Sequence, residues 1–265
     1  MEGKEKELIQ LRRKQKELGV TTESLNRLPI FQPSLQAEFQ TRVFENKYGK
    51  ITVKGSISQA HKNVLETILY KRKAYATKPL RILYDEYEVR RYLSRSSLYS
   101  YETYKKLIED MIRTYIKLET DELIVEGTLI ARKITAKNYS RKSRSNLPQL
   151  RGKEVCYAVI ELGDVASLLF EKELRFAYNP EKIMGLRSGI SQALVRYLRT
   201  HKSHPVQGYH LKELIENLVD NVGAQRWKDI RRSLKKDIEQ LGKIGIAIDF
   251  KRNRLFVIEN LFRRF

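Results

Sequence analysis

Gln225, Arg226, Lys228, Arg231, Arg232, Lys235 and Lys236 lie close together near the end of the chain, and Lys251, Arg252 and Arg254 follow shortly after. Guanidinium and ammonium groups at this density break no bonds by themselves. They neutralise phosphates, and a Gln or Arg at the N-terminal end of a helix can reach base edges. The chemistry on offer is recognition of a polyanion. A charge run is ordinarily a solvated helix face, and Asp229, Asp237 and Glu239 are there to dilute it. Two features favour the sharper reading: the cations share one side of the helix, and the second cluster falls where a hairpin tip is expected.

Residue sets for catalysis are sparse. No glycine-rich phosphate loop is present, which argues against a P-loop ATPase. The histidines are His61, His201, His204 and His210. His201 and His204 have i, i+3 spacing at a helix end without a convincing third ligand nearby, so they are expected to act as cations on the helix dipole, and no metal is expected. Tyr84, Tyr87, Tyr92, Tyr99, Tyr101 and Tyr104 could supply a DNA-nicking nucleophile, but the His-x-His metal motif of such enzymes is missing. Packing aromatics are the better account. The expectation is a protein without enzymatic activity or cofactor.

The elements that position the basic residues follow from periodicity. At 3.6 residues per turn, Trp227, Ile230, Leu234, Ile238 and Leu241 fall within an arc of roughly 80°, which predicts a helix over 224–241 with that stripe buried and the cations opposite. Ile244, Ile246, Ile248 and Phe250 then alternate, as a strand does, and "KRNR" forms the turn, with Lys251, Arg252 and Arg254 at its tip.

This arrangement ends a repeated order. In the second half, "GISQALVRYLRTHKS" and "HLKELIENL" precede the basic helix as two amphipathic helices. In the first half, helical spacing runs through Ile57, Ala60, Val64, Leu65, Ile68 and Leu69. "RILY" is a short strand, "DEYEVRRYLS" opens with an Asp85/Glu88 capping-box pattern, and "YSYETYKKLIEDMIRTYIKLE" is a third, longer helix. "DELIVEGTLIARKI" alternates around a Glu126-Gly127 turn as a hairpin. Both first helices begin with "ISQA", at 57–60 and 190–193.

Three helices and a hairpin, twice, predict an α+β fold of two tandem winged helices with an N-terminal helical extension. The expected division is 1–55 for the extension (a charged helix over 4–18, then a strand-like "RVFENKYGKITVKG"), 56–178 for the first winged helix and 179–265 for the second. "VCYAVIEL" as a strand, "DVASLLFEK" as a helix and "RFAYNP" as a strand close the first unit or bridge to the second. The first unit is less basic: Lys105, Lys106, Arg113 and Lys117 are offset by Glu102, Glu109 and Asp110, and its expected hairpin tip carries Glu126. That suits packing or dimerisation. Within it, the polar stretch 137–153 reads as a loop whose Arg141, Lys142 and Arg144 could touch phosphates or simply solubilise the chain.

The whole chain agrees with a polyanionic partner. Its 265 residues carry 52 Lys and Arg against 32 Asp and Glu, a net charge of +20, while 41% apolar content is enough for a folded core. The single cysteine, Cys156, excludes an internal disulfide and suggests a reducing compartment. No secretory apolar segment opens the sequence and no run is fit to span a bilayer, so a cytoplasmic protein is expected.

The stretch "LVRYLRTHKSHPVQGYHLKELIENLVDNVGAQRWKDIRRSLKKDIEQLGKIGIAIDF" resembles the C-terminal winged helix of plasmid replication initiators, the iteron-binding Rep family of the TrfA type. The similarity rests on "LRTHKS", the "YHLKEL" helix and "RWKDIRRSLKKDIEQL" before a hairpin, over roughly the last 80 residues. It implies binding to directly repeated double-stranded sites at a plasmid origin, opening of an adjacent AT-rich region, and recruitment of a host initiator, helicase and polymerase clamp. It also implies a homodimer through the first winged helix. No clear clamp-binding pentapeptide is present; "ASLLF" at 166–170 is better explained as an amphipathic helix. Two other readings stay open at this point: a winged-helix transcriptional regulator or autorepressor, and a tyrosine-dependent nickase.

Overall fold

A computed structural model describes residues 19–28, 30–46, 49–94, 99–135, 156–219 and 222–258. Strand β1 (Thr21–Thr22) and helix α1 (Glu23–Arg27) are followed by β2 (Gln40–Asn46), β3 (Gly49–Gly55), α2 (Gln59–Tyr70), β4 (Ala74–Thr77) and β5 (Leu80–Asp85). Next come α3 (Glu86–Ser94), α4 (Tyr101–Arg113), β6 (Tyr115–Glu119), β7 (Ile124–Thr128), β8 (Ile130–Thr135) and β9 (Tyr157–Leu162). A bridging stretch holds α5 (Asp164–Lys172), β10 (Arg175–Phe176) and α6 (Glu181–Met184). The last part is α7 (Gly189–Leu198), β11 (Tyr209–His210), α8 (Leu211–Glu216), α9 (Ala224–Lys236), α10 (Ile238–Ile244), β12 (Ile246–Asp249) and β13 (Arg254–Val257). The fold is α+β, and every paired strand is antiparallel.

The two halves share a topology. In the second, α7 leads to β11, then α8, α9 and α10, then the hairpin β12–β13, with strand order β11-β13-β12. In the first, α2 leads through β4 to β5, then α3 and α4, and later to β8 and β9, with strand order β4-β5-β9-β8. β5 stands to β9 and β8 as β11 stands to β13 and β12. The first-half counterpart of hairpin β12–β13 is therefore β8–β9, not a hairpin around Glu126-Gly127 as the sequence suggests. Gly127 lies inside β7, opposite Ile116. The turn is at Thr120, whose N–H donates to Leu123 O (2.9 Å) and whose Oγ1 accepts from Leu123 N–H (3.1 Å).

The third helix is also shorter than its pattern. α4 is capped by Ser100, whose hydroxyl accepts from Thr103 N–H (3.1 Å), and it ends before Thr114. Beyond that point Ile116 and Leu118 are buried while their neighbours are half-exposed, the period of a strand. Ile112 and Ile116 share a helical spacing, which hides the switch. β6 pairs with β3 and β7, so β2-β3-β6-β7 forms a sheet of its own. Gln40–Asn46 and Gly49–Gly55, expected in the extension, thus belong to a sheet with residues of the first half. The expected helix over 4–18 lies outside the described residues.

Local sequence explains several ends. Asp85 caps α3 by accepting from Tyr87 N–H (3.0 Å), while Glu88 pairs with Lys73 instead of completing the capping box. Gly163 precedes α5 where a Cβ would sit 1.7 Å from Thr128 O, so only glycine lets the helix start against β7. At α2, the N–H of Ser58 donates to His61 Nδ1 (3.0 Å), and His61 Nε2 lies 3.3 Å from Asp110 on α4.

Burial, its largest influence, holds the His61 imidazole below its ordinary 6.5, against the opposing pull of Asp110. A depressed folded value means that the unfolded chain takes up the proton first as pH falls. The contribution is complete above 6.5 and is lost as pH falls through the folded value. Thermal melts should therefore drop as the pH falls below about 6.5. His61→Gln, which keeps an acceptor for the capping position, should flatten that drop; an unchanged profile would show that other groups control it.

The two halves meet along their first helices. Gln59 of α2 and Gln192 of α7, the third residues of the two "ISQA" copies, both reach the guanidinium of Arg196, at 2.8 and 3.5 Å from Nη1. Asn63 Oδ1 accepts from Nη2 (2.7 Å), and Glu66 accepts from Nε and Nη2. Tyr178 donates its hydroxyl to Glu66 (2.7 Å). Apolar residues surround this network: Val64, Leu65, Ile68, Leu194, Val195 and Leu198 are all buried.

Candidate nucleic-acid interface

Helix α9 places its apolar residues as its period predicts. Ile230 and Leu234 are buried and Trp227 packs half-buried against the core. The stripe does not continue straight to Ile238. α9 ends at Lys236, α10 starts at Ile238, and Ile238 is 40% exposed, while Leu241 is buried from α10. Asp237 sits at the break. Its buried carboxylate accepts from the N–H groups of Arg187 (2.8 Å) and Ser188 (3.0 Å) and from the Ser188 hydroxyl (2.8 Å), all at the start of α7. The tether anchors a carboxylate at the N-terminus of α7, where it is favoured, at the very residue whose own N–H turns back to Leu234 O (3.1 Å).

Gln225, Arg226, Lys228, Arg232, Lys235 and Lys236 are exposed on α9, as the sequence leads one to expect. Arg232 pairs with Asp229 (2.9 Å), which also accepts from Gln225 (3.2 Å). Lys228, Lys236 and Lys251 form no ion pair among the described residues. Arg231 differs from its neighbours. It is half-buried, donates from Nη2 to Phe250 O (2.8 Å), and lies over the Phe250 ring at 5.6 Å. Lys235 Nζ approaches the same ring at 5.4 Å.

The hairpin turn is built by Asp249, which accepts from the N–H groups of Lys251 (2.9 Å) and Arg252 (3.0 Å). Those backbone bonds, that of Arg252 foremost, hold the Asp249 carboxyl below its usual range. Asn253 takes φ 54°, the left-handed region that asparagine tolerates, and its carbonyl accepts from Leu211 N–H (2.9 Å). Lys251 and Arg252 are exposed at the tip, the Arg252 side chain at 83%. Arg254 is not at the tip. It starts β13, opposite Asp249 and His210, and Nη1 lies 3.4 Å from Gly208 O. Arg141, Lys142 and Arg144 lie outside the described residues, in the connection between β8 and β9.

The structure thus brings the exposed face of α9 and the Lys251–Arg252 tip into one body through Phe250, and withdraws Arg254 and part of Arg231 from it. Asp237 and Asn253 are the positioning residues that sequence reasoning passed over. An acidic residue two positions before Lys251, followed by Asn253, is a turn signal that could have set the tip correctly. Asp237 carries no comparable local signal.

The histidine and tyrosine sets are placed elsewhere. His201 Nδ1–H donates to Tyr197 O (3.1 Å) at the end of α7, while burial, the largest influence, lowers its pKa and so disfavours the cation expected there. His204 Nδ1 lies 2.9 Å from the Tyr209 hydroxyl. Tyr84, Tyr92 and Tyr104 are in the core, with the Tyr84 and Tyr104 hydroxyls hydrogen-bonded to each other (2.9 Å); Tyr87 and Tyr101 are exposed. Among the described residues, no group of three or more His, Cys, Asp or Glu side chains could hold a metal, and no helix is long and apolar enough to cross a membrane.

Among solved structures, the chain is similar to domains 2 and 3 of RctB. The crystal structure of the selenomethionine derivative of that piece matches with a TM-score of 0.52 and 15% identity, over 88% of this chain and 87% of the other. The chain shares that fold. A second crystal structure of RctB domains 2–3 aligns with a TM-score of 0.47 and 14% identity, over 84% and 83% of the two chains. No protein-family model matches the chain, and no curated protein matches it by sequence.

Proposed function

We propose that this chain is a replication initiator that binds duplex DNA through two tandem winged helices, with the second as the principal reader. In this reading α9 enters a major groove and the β12–β13 hairpin is the wing, with Lys251 and Arg252 on the backbone. The observation that carries it is the joining, through Phe250, of an exposed basic helix face to a basic hairpin tip. A solvated charged helix has no need of that joint. The repeated strand orders β5-β9-β8 and β11-β13-β12 support two units of one topology. RctB, whose domains 2 and 3 share the fold, is a replication initiator of a different family from the TrfA type, which supports the kind of function rather than the plasmid family.

The finer features belong to the same proposal. The sites are direct repeats at an origin, the first unit mediates a homodimer or touches the neighbouring half-site, and host initiator, helicase and clamp are recruited to the opened DNA. The chain acts without catalysing a reaction of its own.

The test is equilibrium binding to duplex fragments flanking the gene over a salt series. Log K should fall linearly with log salt, and Lys228→Ala/Lys236→Ala/Lys251→Ala should lower the slope by roughly 2 to 3, about 0.9 for each phosphate left without its cation. Footprints should fall on repeated sites. Binding that ignores both salt and the triple substitution would overturn the proposal.

A further inference from the structure

Arg231 is among the basic residues of α9, yet its geometry sets it apart. By the helix period of about 100° per residue, Gln225, Arg232 and Lys236 lie opposite the Trp227, Ile230, Leu234 stripe, Arg231 lies on its flank, and Lys235 and Lys228 fall between the two. That flank faces the hairpin. Arg231 and Lys235 are one helical turn apart and both approach the Phe250 ring, at 5.6 and 5.4 Å. A ring face attracts cations, and Arg231 adds a hydrogen bond to the carbonyl of the same residue (2.8 Å). Phe250 is the last residue before the tip, sits half-buried against the core, and directly follows the Asp249 that shapes the turn.

We infer that Arg231 and Phe250 form a clamp that fixes the angle of the hairpin to α9, and that Arg231 is a positioning residue for the tip rather than a group that touches DNA. The inference rests on the duplex-binding reading for its consequence, but not for its geometry. Through the clamp, one flank of α9 determines where Lys251 and Arg252 stand relative to Lys228, Arg232 and Lys236. Arginine suits the place because a planar guanidinium can lie over a ring while one N–H reaches the adjacent carbonyl, which an ammonium on a flexible stem does less well.

The experiment compares Arg231→Gln, Phe250→Leu and Lys251→Ala/Arg252→Ala in the full chain. Amide hydrogen exchange without DNA reads the clamp directly. Exchange across the hairpin turn should accelerate in Arg231→Gln and in Phe250→Leu while α9 keeps its protection; unchanged exchange in both would overturn the clamp. Duplex binding reads its consequence. Phe250→Leu removes no charge, yet it should weaken binding and lower the salt slope toward that of Lys251→Ala/Arg252→Ala, a fall of about 1.8 for two phosphates. Adding Arg231→Gln to Lys251→Ala/Arg252→Ala should cost nothing further. Fully additive effects, with Phe250→Leu binding as wild type, would make Arg231 an ordinary phosphate ligand and sink the inference. Accelerated exchange in a protein whose wild type shows no salt-dependent duplex binding would leave the clamp standing and remove the duplex-binding reading.

Discussion

Replacing Arg196 by Met should cost about 3–5 kcal/mol of unfolding free energy, the range for breaking a buried ion pair from one side. The guanidinium is wholly buried, and its Nη2 lies 2.7 Å from Glu66, itself 1% exposed. Methionine fills much of the volume but leaves the Glu66 carboxylate without its partner. Tyr178 would still donate to it, and Lys62, one turn away on α2, is no substitute. Burial holds the Lys62 amine well below its usual value, and its Nζ is already engaged by Leu25 O and Asn26 Oδ1 (2.7 Å). Gln59 Oε1 and Asn63 Oδ1 lose their donors as well. Urea titration is the measurement. A double substitution, Glu66→Met with Arg196→Met, should cost less than Arg196→Met alone, because no charge is then stranded. A single substitution costing under about 1 kcal/mol would mean that water reaches this site in solution.

The consequence extends beyond stability. Desolvating a carboxylate and a guanidinium is expensive, and an apolar contact between α2 and α7 would hold as well or better. What the polar network supplies is direction: one guanidinium plane satisfied by Gln59, Asn63 and Glu66 on successive turns of α2 permits one register of the two helices. The first helices of both halves are thereby fixed to each other, and with them the two sheets that follow.

Much of this is legible in the sequence, and the failures share a cause. Arg231 is half-buried, but the Trp227, Ile230, Leu234 stripe, the α7 face and the outward Lys228, Arg232, Lys235 and Lys236 follow from period alone, and the structure has them. So does the shared "ISQA", although nothing local says that Gln59 and Gln192 converge on one arginine. The errors fall where a distant contact decides a local conformation. Residues 115–119 carry a spacing compatible with either helix or strand, and pairing with Ile51 and Val53 of β3 settles it as strand. Alternation alone assigns the first-half hairpin to the nearest pair of runs. The true counterpart of β12–β13 depends on β5 pairing with β9, strands separated by most of that half. Turn chemistry could have moved Arg254 off the tip, since an Asp two residues before Lys251 and an Asn at 253 define the reversal. Phe250 is legible as the end of an alternating run, but its role as the seat of Arg231 needs the helix and the hairpin together.

Asp237 shows what such a contact does to a site, and its removal is the second large effect expected. Asp237→Ala should cost about 2–4 kcal/mol, for it deletes a charged acceptor from two backbone N–H groups and a hydroxyl at the start of α7. Asp237→Asn, which keeps one acceptor oxygen and the shape, should cost less. The change also acts on α9. With the carboxylate gone and alanine, a good helix former, in its place, the reason for the break between Lys236 and Ile238 disappears. A continuous helix would turn Ile238, now 40% exposed, toward the Leu234 side and pull α10 and the start of β12 with it. The hairpin would then leave the flank that holds Phe250. Below the melting temperature, Asp237→Ala should therefore bind duplex DNA more weakly than its lower stability explains, while retaining Lys228, Arg232 and Lys236. Circular dichroism at constant folded fraction, read beside a binding isotherm, separates the two effects. Wild-type affinity in a folded but destabilised Asp237→Ala would show that the break in the helix serves packing alone and does not aim the reading surface.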